Sequence, residues 1–247
     1  MSKLNYMFGF HAIVSRLKQN YESIREIYLD EKRQDQRSRE LLNHAEMRGI
    51  RIIRCDSARL TRITGTLLHQ GVAASFTSNT RQVNLEDILV NLHEAALFMV
   101  LDGVKDPHNL GACFRVAGAL GAHGIIVPKD RSVGITPTVH KVASGAVDSV
   151  PFVTVTNLAR TLREMKIHGI QIIGTIAETT EYISAVNLTV PSALVFGSEQ
   201  KGLRRLTREQ CDILASIPMV GSNINSLNIS VAAGICLYET LKQRAIH

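Results

Sequence analysis

Two patterns of apolar and polar residues follow one another along the chain. Between Phe8 and about Phe76, helical and strand-like periods alternate in short segments. This first part is therefore expected to form a small α/β domain. The pattern predicts helices near residues 11–20 and 37–48, and strands near 25–29, 50–54 and 71–76.

From Ala96 onwards, the pattern becomes a regular repeat of an apolar strand followed by a helix. Such a repeat is typical of a mostly parallel sheet with helices on both faces. The predicted strands are the segments LFMVLDGV, GIIVP, VPFVTV, IQIIGTI, ALVFGSE and ILASIPM. The predicted helices are 111–120, one beginning at Thr136-Pro137, 158–168, and a last one from about Ser226.

Three regions follow from these patterns. Residues 1–77 are expected to be the small α/β domain, and residues 96–247 the larger one. Residues 78–95 are mostly polar before the next apolar run, which predicts a linker with a short helix.

The chain of 247 residues is moderately basic, with a formal net charge of +6. The excess is uneven, because residues 1–90 hold 14 Lys+Arg against 10 Asp+Glu, whereas residues 91–247 hold 14 against 12. A polyanionic partner such as RNA suits this balance, although a basic charge alone is not specific. RNA contact is more plausible in the first third of the chain.

Four cysteines, Cys55, Cys113, Cys211 and Cys236, lie far apart and show neither CxxC pairing nor a histidine at metal-ligand spacing. They are expected to be reduced core residues, and no metal site is predicted. No segment approaches the roughly 18 consecutive apolar residues that a membrane span needs. We therefore expect a cytoplasmic protein with no membrane partner.

The segment LDGVKDPHNLGACFRVAGALG, residues 101–121, leads from a strand ending at Asp102 through a turn into a helix. Ligands in open α/β sheets bind outside the carboxyl ends of strands, where Asn109, Gly111 and Arg115 fall. Arg115 could hold a phosphate through its guanidinium fork. From this segment alone, a purely structural interpretation also stays open, in which Asn109 caps the helix and Arg115 is a surface residue.

Two further segments have the same strand-to-loop character. In ALVFGSEQKGL, residues 193–203, an apolar strand runs into Gly197, Ser198 and Glu199. In SIPMVGSNINSLNISVAAGICLYETL, residues 216–241, Ser226 and Asn228 stand where a long apolar helix begins, so they could cap it or face a substrate. The glycines of residues 101–121 do not spell G-x-G-x-x-G, which disfavours a nicotinamide-binding site.

In order and in wording, these three segments resemble the three motifs of the SpoU (TrmH) class of RNA ribose methyltransferases in the SPOUT superfamily. The segments GFHAIVSRL and HQGVAASF near the start also resemble the substrate-binding domain of that class. The likeness, which includes DPHNLGACFR, VPKDRS and GLRRLTREQCD, is greatest to members that methylate a guanosine ribose in large-subunit ribosomal RNA.

The resemblance implies a C-terminal trefoil knot, S-adenosylmethionine as methyl donor with S-adenosylhomocysteine as product, and a homodimer whose active site draws on both subunits. Topology rules alone would have argued against a knot. The active-site residues of the family fall on Asn109, Arg115, Glu199, Ser226 and Asn228. The cofactor contacts fall on Gly197, Ile217, Met219 and Leu227.

The sequence departs from the family pattern at two places. Gln200 stands where glycine is common, and four residues rather than three separate Gly221 from Ser226.

Within the class, a transfer-RNA ribose methyltransferase is the alternative to a ribosomal RNA enzyme. A non-catalytic RNA-binding relative is the alternative outside it. The residues expected to grip RNA phosphates in the first domain are Arg16, Arg37, Arg39, Arg48, Arg51 and Arg54.

Overall fold

A computed structural model describes residues 4–77, 84–199, 201–220 and 226–245. The contacts among these residues separate the chain into two compact units. The first, called the N-terminal unit, contains residues 4–77 and 135–149. The second, called the C-terminal unit, contains residues 84–134 and the described residues from 150 onwards.

The secondary structure alternates strands and helices along most of the chain. Its first elements are β1 (Leu4–Phe8), α1 (Phe10–Gln19), β2 (Ile24–Asp30), α2 (Gln36–Glu46), β3 (Arg51–Cys55), α3 (Ser57–Thr64) and β4 (Val72–Thr77). The middle elements are α4 (Leu85–Val90), β5 (Leu97–Asp102), α5 (Pro107–Ala119), β6 (Gly124–Pro128), α6 (Pro137–Ala143), β7 (Phe152–Val155) and α7 (Leu158–Ile167). The last are β8 (Gln171–Thr175), β9 (Ser192–Gly197), α8 (Arg205–Arg208), β10 (Ile213–Ala215) and α9 (Ile229–Ala245).

The N-terminal unit is built on a mixed four-stranded sheet of order β1-β4-β2-β3. The predicted helices α1 and α2 and strands β2, β3 and β4 are confirmed. Asp35 and Asp56 begin helices α2 and α3 by accepting the backbone N–H groups of Ser38 and Arg59, at 3.1 and 2.7 Å. The sequence patterns missed β1 and α3, which are only five and eight residues long.

Helix α6 and the turn after it, residues 135–149, pack within the N-terminal unit. The guanidinium of Arg16 lies 3.9 Å from the ring centroid of Phe76 in β4, and the His140 ring packs against Phe76 edge to face, with 5.0 Å between the ring centroids. Arg16 also donates to Asp148 Oδ1 at 2.7 Å and to Ser23 Oγ at 2.8 Å. The sequence patterns had placed residues 135–149 in the larger domain. Periodicity predicts that a segment is a helix, but it does not indicate which hydrophobic core the helix packs against.

Arg16 is wrong as a candidate for RNA contact. Its side chain is only 5% exposed and its guanidinium is occupied by Asp148, Ser23 and Phe76, so it cannot reach a phosphate at the surface. Of the other candidates, Arg37, Arg39, Arg51 and Arg54 are exposed and Arg48 is partly so.

The C-terminal unit is built on a six-stranded sheet of order β10-β8-β9-β5-β6-β7, in which every pairing is parallel. Strands β6 and β7 extend the sheet on one side of β5. The later strands β8, β9 and β10 lie on its other side. The order therefore reverses between β5 and β9. In sheets of this kind, ligands bind at the carboxyl ends of the strands where the order reverses.

Helices cover both faces of this sheet, as predicted. Phe98, Val100 and Val195 belong to one apolar cluster with α4 and α7. On the other face, Phe114 of α5 lies 5.4 Å from the ring of Phe152 in β7, and α9 packs against both α5 and β9. Strands buried on both faces explain why the segments read as continuous apolar runs rather than as alternating ones.

Two predicted helix starts differ from the structure. Helix α5 begins at Pro107, not at residue 111, because Asp106 caps it by accepting the backbone N–H of His108 at 2.9 Å. Helix α9 begins at Ile229 rather than Ser226, and Asn228 precedes it. No helix within the described ranges is both long and apolar enough to cross a membrane.

His140 makes the stability of the N-terminal unit depend on pH. Burial, with the charge of Arg16, lowers its pKa to about 3 from an ordinary 6.5. Below about pH 6.5 the unfolded chain therefore binds a proton that the folded chain refuses, so stability falls as pH falls from 6.5 towards 3. We expect wild type to lose about 2 kcal/mol through this group between pH 6.5 and pH 5.

The measurement is urea unfolding at several pH values for wild type and His140→Phe, followed by circular dichroism. Burial raises the pKa of Asp148, which acts in the opposite direction in both proteins, so the difference between the two profiles isolates His140. Parallel profiles would contradict the prediction.

Candidate active site

A first cavity of about 370 Å³ lies at the carboxyl ends of β8 and β9. Its wall contains all four predicted cofactor residues, Gly197, Ile217, Met219 and Leu227, together with Glu199 and Ser226. These residues come from two parts of the chain: the end of β9 with the loop after it, and the segment between β10 and α9. Both parts line the cavity. The cavity combines an apolar lining with a glycine turn and carboxylate groups.

A second cavity, of about 570 Å³, lies at the carboxyl end of β5 beside the first. It is lined by Asp102, Asn109 and Asp130, and by the cations Lys105 and Arg131. Four wall residues are common to both cavities: Ser198, Glu199, Lys201 and Ile229. The loop after β9 therefore forms a shared wall between two adjoining spaces, and charged side chains are most numerous around the second.

Three side chains, one from each sequence motif, form a hydrogen-bonded network at this boundary. Asn109 Nδ2 donates to Glu199 Oε1 at 2.6 Å. Asn228 Nδ2 donates to the same oxygen at 3.2 Å and to Asn109 Oδ1 at 2.9 Å. The structure thus brings together residues that lie up to 119 positions apart in the chain.

Asn228 has a second function at the start of α9. Its Oδ1 accepts the backbone N–H of Ser230 at 2.9 Å, and its carbonyl accepts the N–H of Ala232, also at 2.9 Å. Capping and facing the site were alternatives in the sequence, whereas in the structure one amide does both. The helix cap consequently fixes the direction of the Nδ2 group that donates to Glu199.

The loop after β9 folds back closely on its own strand. Ser198 and Gly202 exchange two backbone hydrogen bonds, of 3.1 and 2.8 Å. A Cβ atom on Gly197 would lie 2.1 Å from the backbone carbon of Gly202, a distance that no side chain tolerates. Gly197 is therefore required for the loop to close here, as a glycine at a strand end permits.

Arg115 lines neither cavity and is exposed on α5. It follows Asn109 by six residues, which places the two side chains about 120° apart around the helix. The remaining predicted site residues are grouped at the two cavities. Gln200 and Gly221, on which the departures from the family pattern depend, lie outside the described residues.

Sequence reasoning missed Asp102, Arg204, Lys105 and Arg131. Asp102 accepts the backbone N–H of Arg204 at 3.0 Å and its Nε–H at 2.6 Å. The signal that could have found Asp102 is its position as the last residue of an otherwise apolar strand. Lys105 and Arg131 could have been found from their positions in the loops after β5 and β6.

The cysteines are unpaired, and none of them suits a nucleophile. Burial raises the pKa of Cys113 and of Cys236 to about 12, and that of Cys211 to about 11. Among the residues that the structure describes, no group of three or more His, Cys, Asp or Glu side chains could hold a metal ion.

Two family models match the two parts of the chain. The SpoU rRNA Methylase family matches residues 96–238, and a model described as RNA 2'-O ribose methyltransferase substrate binding matches residues 6–82. Together the two models place this two-part α/β chain among the RNA methyltransferases.

Individual relatives match along the whole chain. The chain is 60% identical over 245 residues to the 23S rRNA (guanosine-2'-O-)-methyltransferase RlmB of Nitrosomonas europaea, covering 99% of this chain and 94% of the relative. It is 52% identical over 246 residues to the enzyme of the same name from Ralstonia nicotianae, covering 100% and 98%.

A solved structure, the SpoU methyltransferase AviRb from Streptomyces viridochromogenes with the cofactor AdoMet, matches with a TM-score of 0.80 at 26% identity, covering 99% of this chain and 92% of that chain. The chain belongs to the SpoU rRNA methylase family, and it is an enzyme that uses S-adenosylmethionine.

Replacing Gly197 tests whether the folded-back loop forms the cofactor site. Gly197→Ala is expected to raise the dissociation constant of S-adenosylhomocysteine by about tenfold or more, because the added Cβ displaces residues 202–203. Isothermal titration calorimetry measures this constant. Gly134→Ala is the matched control, since a Cβ there meets nothing within 4 Å. Unchanged affinity in a folded Gly197→Ala protein would sink the assignment.

Proposed function

We propose that this protein methylates the ribose 2′-hydroxyl of a guanosine in 23S ribosomal RNA. The observation that carries the proposal is the Asn109–Glu199–Asn228 network, which joins all three family motifs at the boundary of two adjoining cavities. The choice of ribosomal RNA follows the printed activity of relatives that match along the whole chain, including its N-terminal unit.

The residues of the first cavity fit S-adenosylmethionine. Ile217, Met219 and Leu227 offer apolar surface for the adenine ring, and the close turn at Gly197 lets a ligand approach the backbone. Glu178 and Glu199 also line this cavity and supply carboxylates that suit ribose hydroxyls and a cationic ligand. Bound there, the cofactor supplies an electrophilic methyl group on a sulfonium, and S-adenosylhomocysteine is the product.

The second cavity suits the RNA nucleotide that receives the methyl group. Lys105, Arg131 and Lys201 line it and have no ion-pair partner among the described residues, so they are available for phosphates. A ribose held between these cations and the amide network places its hydroxyl next to the first cavity. Asn109, Glu199, Ser226 and Asn228 then orient hydroxyl and cofactor, which is the main requirement for this transfer.

Arg115 is assigned an electrostatic role. A 2′-hydroxyl is a poor nucleophile near neutral pH, and a nearby guanidinium stabilises the negative charge that develops on its oxygen. A guanidinium holds its proton tightly near neutral pH, so it is a poor general base. Because Arg115 lies outside both cavities of its own chain, the proposal requires it to reach the site of a second subunit.

A homodimer supplies that second subunit. Helix α9 buries one face against α5 and β9, yet four apolar residues on its other side are 38% to 60% exposed. These residues recur every three or four positions, so they form one stripe along the helix. They are Val231, Ile235, Tyr238 and Leu241. An apolar stripe of this kind supports a symmetric contact between copies of the chain.

A C-terminal trefoil knot is the finer proposal for the fold. Strand β10 lies at the edge of the sheet, but α9, which follows it, packs against β9 and α5 near the centre. Ile217 and Met219, which follow β10, and Ser226 and Leu227, which precede α9, all line the first cavity at the carboxyl ends of β8 and β9. These positions on both sides of the connection support a knot at this edge.

In this proposal, the N-terminal unit binds RNA outside the catalytic centre. Its exposed arginines at positions 37, 39, 51 and 54 support contact with phosphates of folded RNA. An RNA substrate and four unpaired cysteines fit a cytoplasmic location.

The substrate assignment is tested by mapping ribose methylation across ribosomal and transfer RNA from cells with and without the gene. We expect one 23S guanosine to lose its 2′-O-methyl group, and we expect the Asn109→Ala variant to fail to restore it. Loss of a transfer-RNA mark alone would instead support the alternative substrate.

Subunit sharing is tested by mixing two inactive variants, Asn109→Ala and Arg115→Ala, in one population of dimers. If Arg115 serves the partner's site, each mixed dimer keeps one intact site, and about a quarter of the wild-type rate returns. If Arg115 serves its own site, no rate returns. Light scattering confirms the dimer, and Arg163→Ala, on an exposed part of α7, is the control.

A further inference from the structure

Asp102 is the last residue of β5, and its side chain is fully buried. Oδ2 accepts the backbone N–H of Arg204 at 3.0 Å, and Oδ1 accepts the Nε–H of the same residue at 2.6 Å and its Nη2–H. One carboxylate thus holds both the main chain and the side chain of one partner. Charge-assisted, two-point contacts of this kind fix direction as well as distance.

Arg204 ends the loop after β9, whose described residues, 198–199 and 201–204, are here called the motif-two loop. Ser198, Glu199 and Lys201 of this loop line both cavities, and Gly202 and Leu203 line the first. Directly after β9, the loop is closed on itself by the two hydrogen bonds that Ser198 and Gly202 exchange. Asp102 fixes its end to β5, the neighbouring strand of the sheet.

We propose that Asp102 is a positioning residue for the methyl transfer. By holding Arg204, it keeps the motif-two loop closed over the first cavity and keeps Glu199 within reach of Asn109 and Asn228. This inference rests on the proposed function for its catalytic part, while its binding part concerns the cofactor cavity alone. Among the described residues, Asp102 makes no side-chain hydrogen bond to either amide of the network.

The main variants are Asp102→Asn and Arg204→Lys. Asparagine keeps an oxygen for the backbone N–H of Arg204 but loses the charge that binds the guanidinium. Lysine keeps the positive charge and the backbone bond but loses the two-point contact. Both are expected to raise the dissociation constant of S-adenosylhomocysteine roughly tenfold to hundredfold and to lower kcat on RNA.

The control is Arg205→Lys. Arg205 is the next residue, its side chain is 78% exposed, and it pairs with Glu209, which directly follows α8. Wild-type affinity and kcat are expected for it, because a surface pair of this kind contributes little. Titration calorimetry, single-turnover methylation and thermal unfolding are measured on the full-length protein for all three variants.

A purely structural role for Asp102 predicts a different result. The melting temperature would fall, while affinity and kcat of the folded protein stayed at wild-type values, and that outcome overturns the proposal. If Asp102→Asn fails to fold, the Arg204→Lys variant tests the proposal instead. Residue 204 is partly exposed, and its backbone N–H can still donate to Asp102 in that variant. A folded Arg204→Lys protein with unchanged affinity also overturns it.

The two proposals can fail separately. If wild type binds S-adenosylhomocysteine but methylates no ribosomal RNA, the proposed substrate is wrong, and the change in affinity still tests Asp102. If methylation is found but both variants bind and react like wild type, Asp102 has no positioning role.

Discussion

The contact between the Glu199 carboxylate and the amides of Asn109 and Asn228 is the interaction on which both cavities depend. It joins the loop after β9 to the first turn of α5 and to the residue that begins α9. The loop after β9 and the start of α9 line both cavities, and the first turn of α5 lines the second. In the proposed function, the network therefore couples the position of the methyl donor to that of the acceptor without contributing a reactive group of its own.

Much of this arrangement could be predicted from the sequence, because parallel strands bring their carboxyl ends to one edge. Asp102 and Gly197 end neighbouring strands, so the motifs that follow them had to meet. Each of the three motifs, taken alone, could have a purely structural role. Their meeting at one edge of the sheet is what indicates a shared site. The strands of the C-terminal unit were predicted for the same reason, since burial on both faces leaves continuous apolar runs.

What the sequence could not provide is the identity of long-range partners. Nothing in the pattern indicated that Asp102 would select Arg204 from the 28 basic residues of the chain, because charged pairs carry no periodicity. For the same reason, the packing of α6 in the N-terminal unit and the burial of Arg16 were not foreseen. The early start of α5 was a local error, since Asp106-Pro107 is a recognisable cap and first-turn pair.

Two buried ion pairs illustrate what such groups contribute in this chain. In the N-terminal unit, Asp148 pairs with Arg16 through one oxygen, while its Oδ2 has no hydrogen-bond partner among the described residues, and burial raises its pKa. Both oxygens of Asp102, in contrast, are occupied by Arg204. Burying a carboxylate costs free energy that an apolar side chain would not incur, so stability alone does not explain either pair. Full occupation by a single partner offsets this cost and fixes one geometry. At Asp102, that geometry is the position of the loop that forms a wall of both cavities.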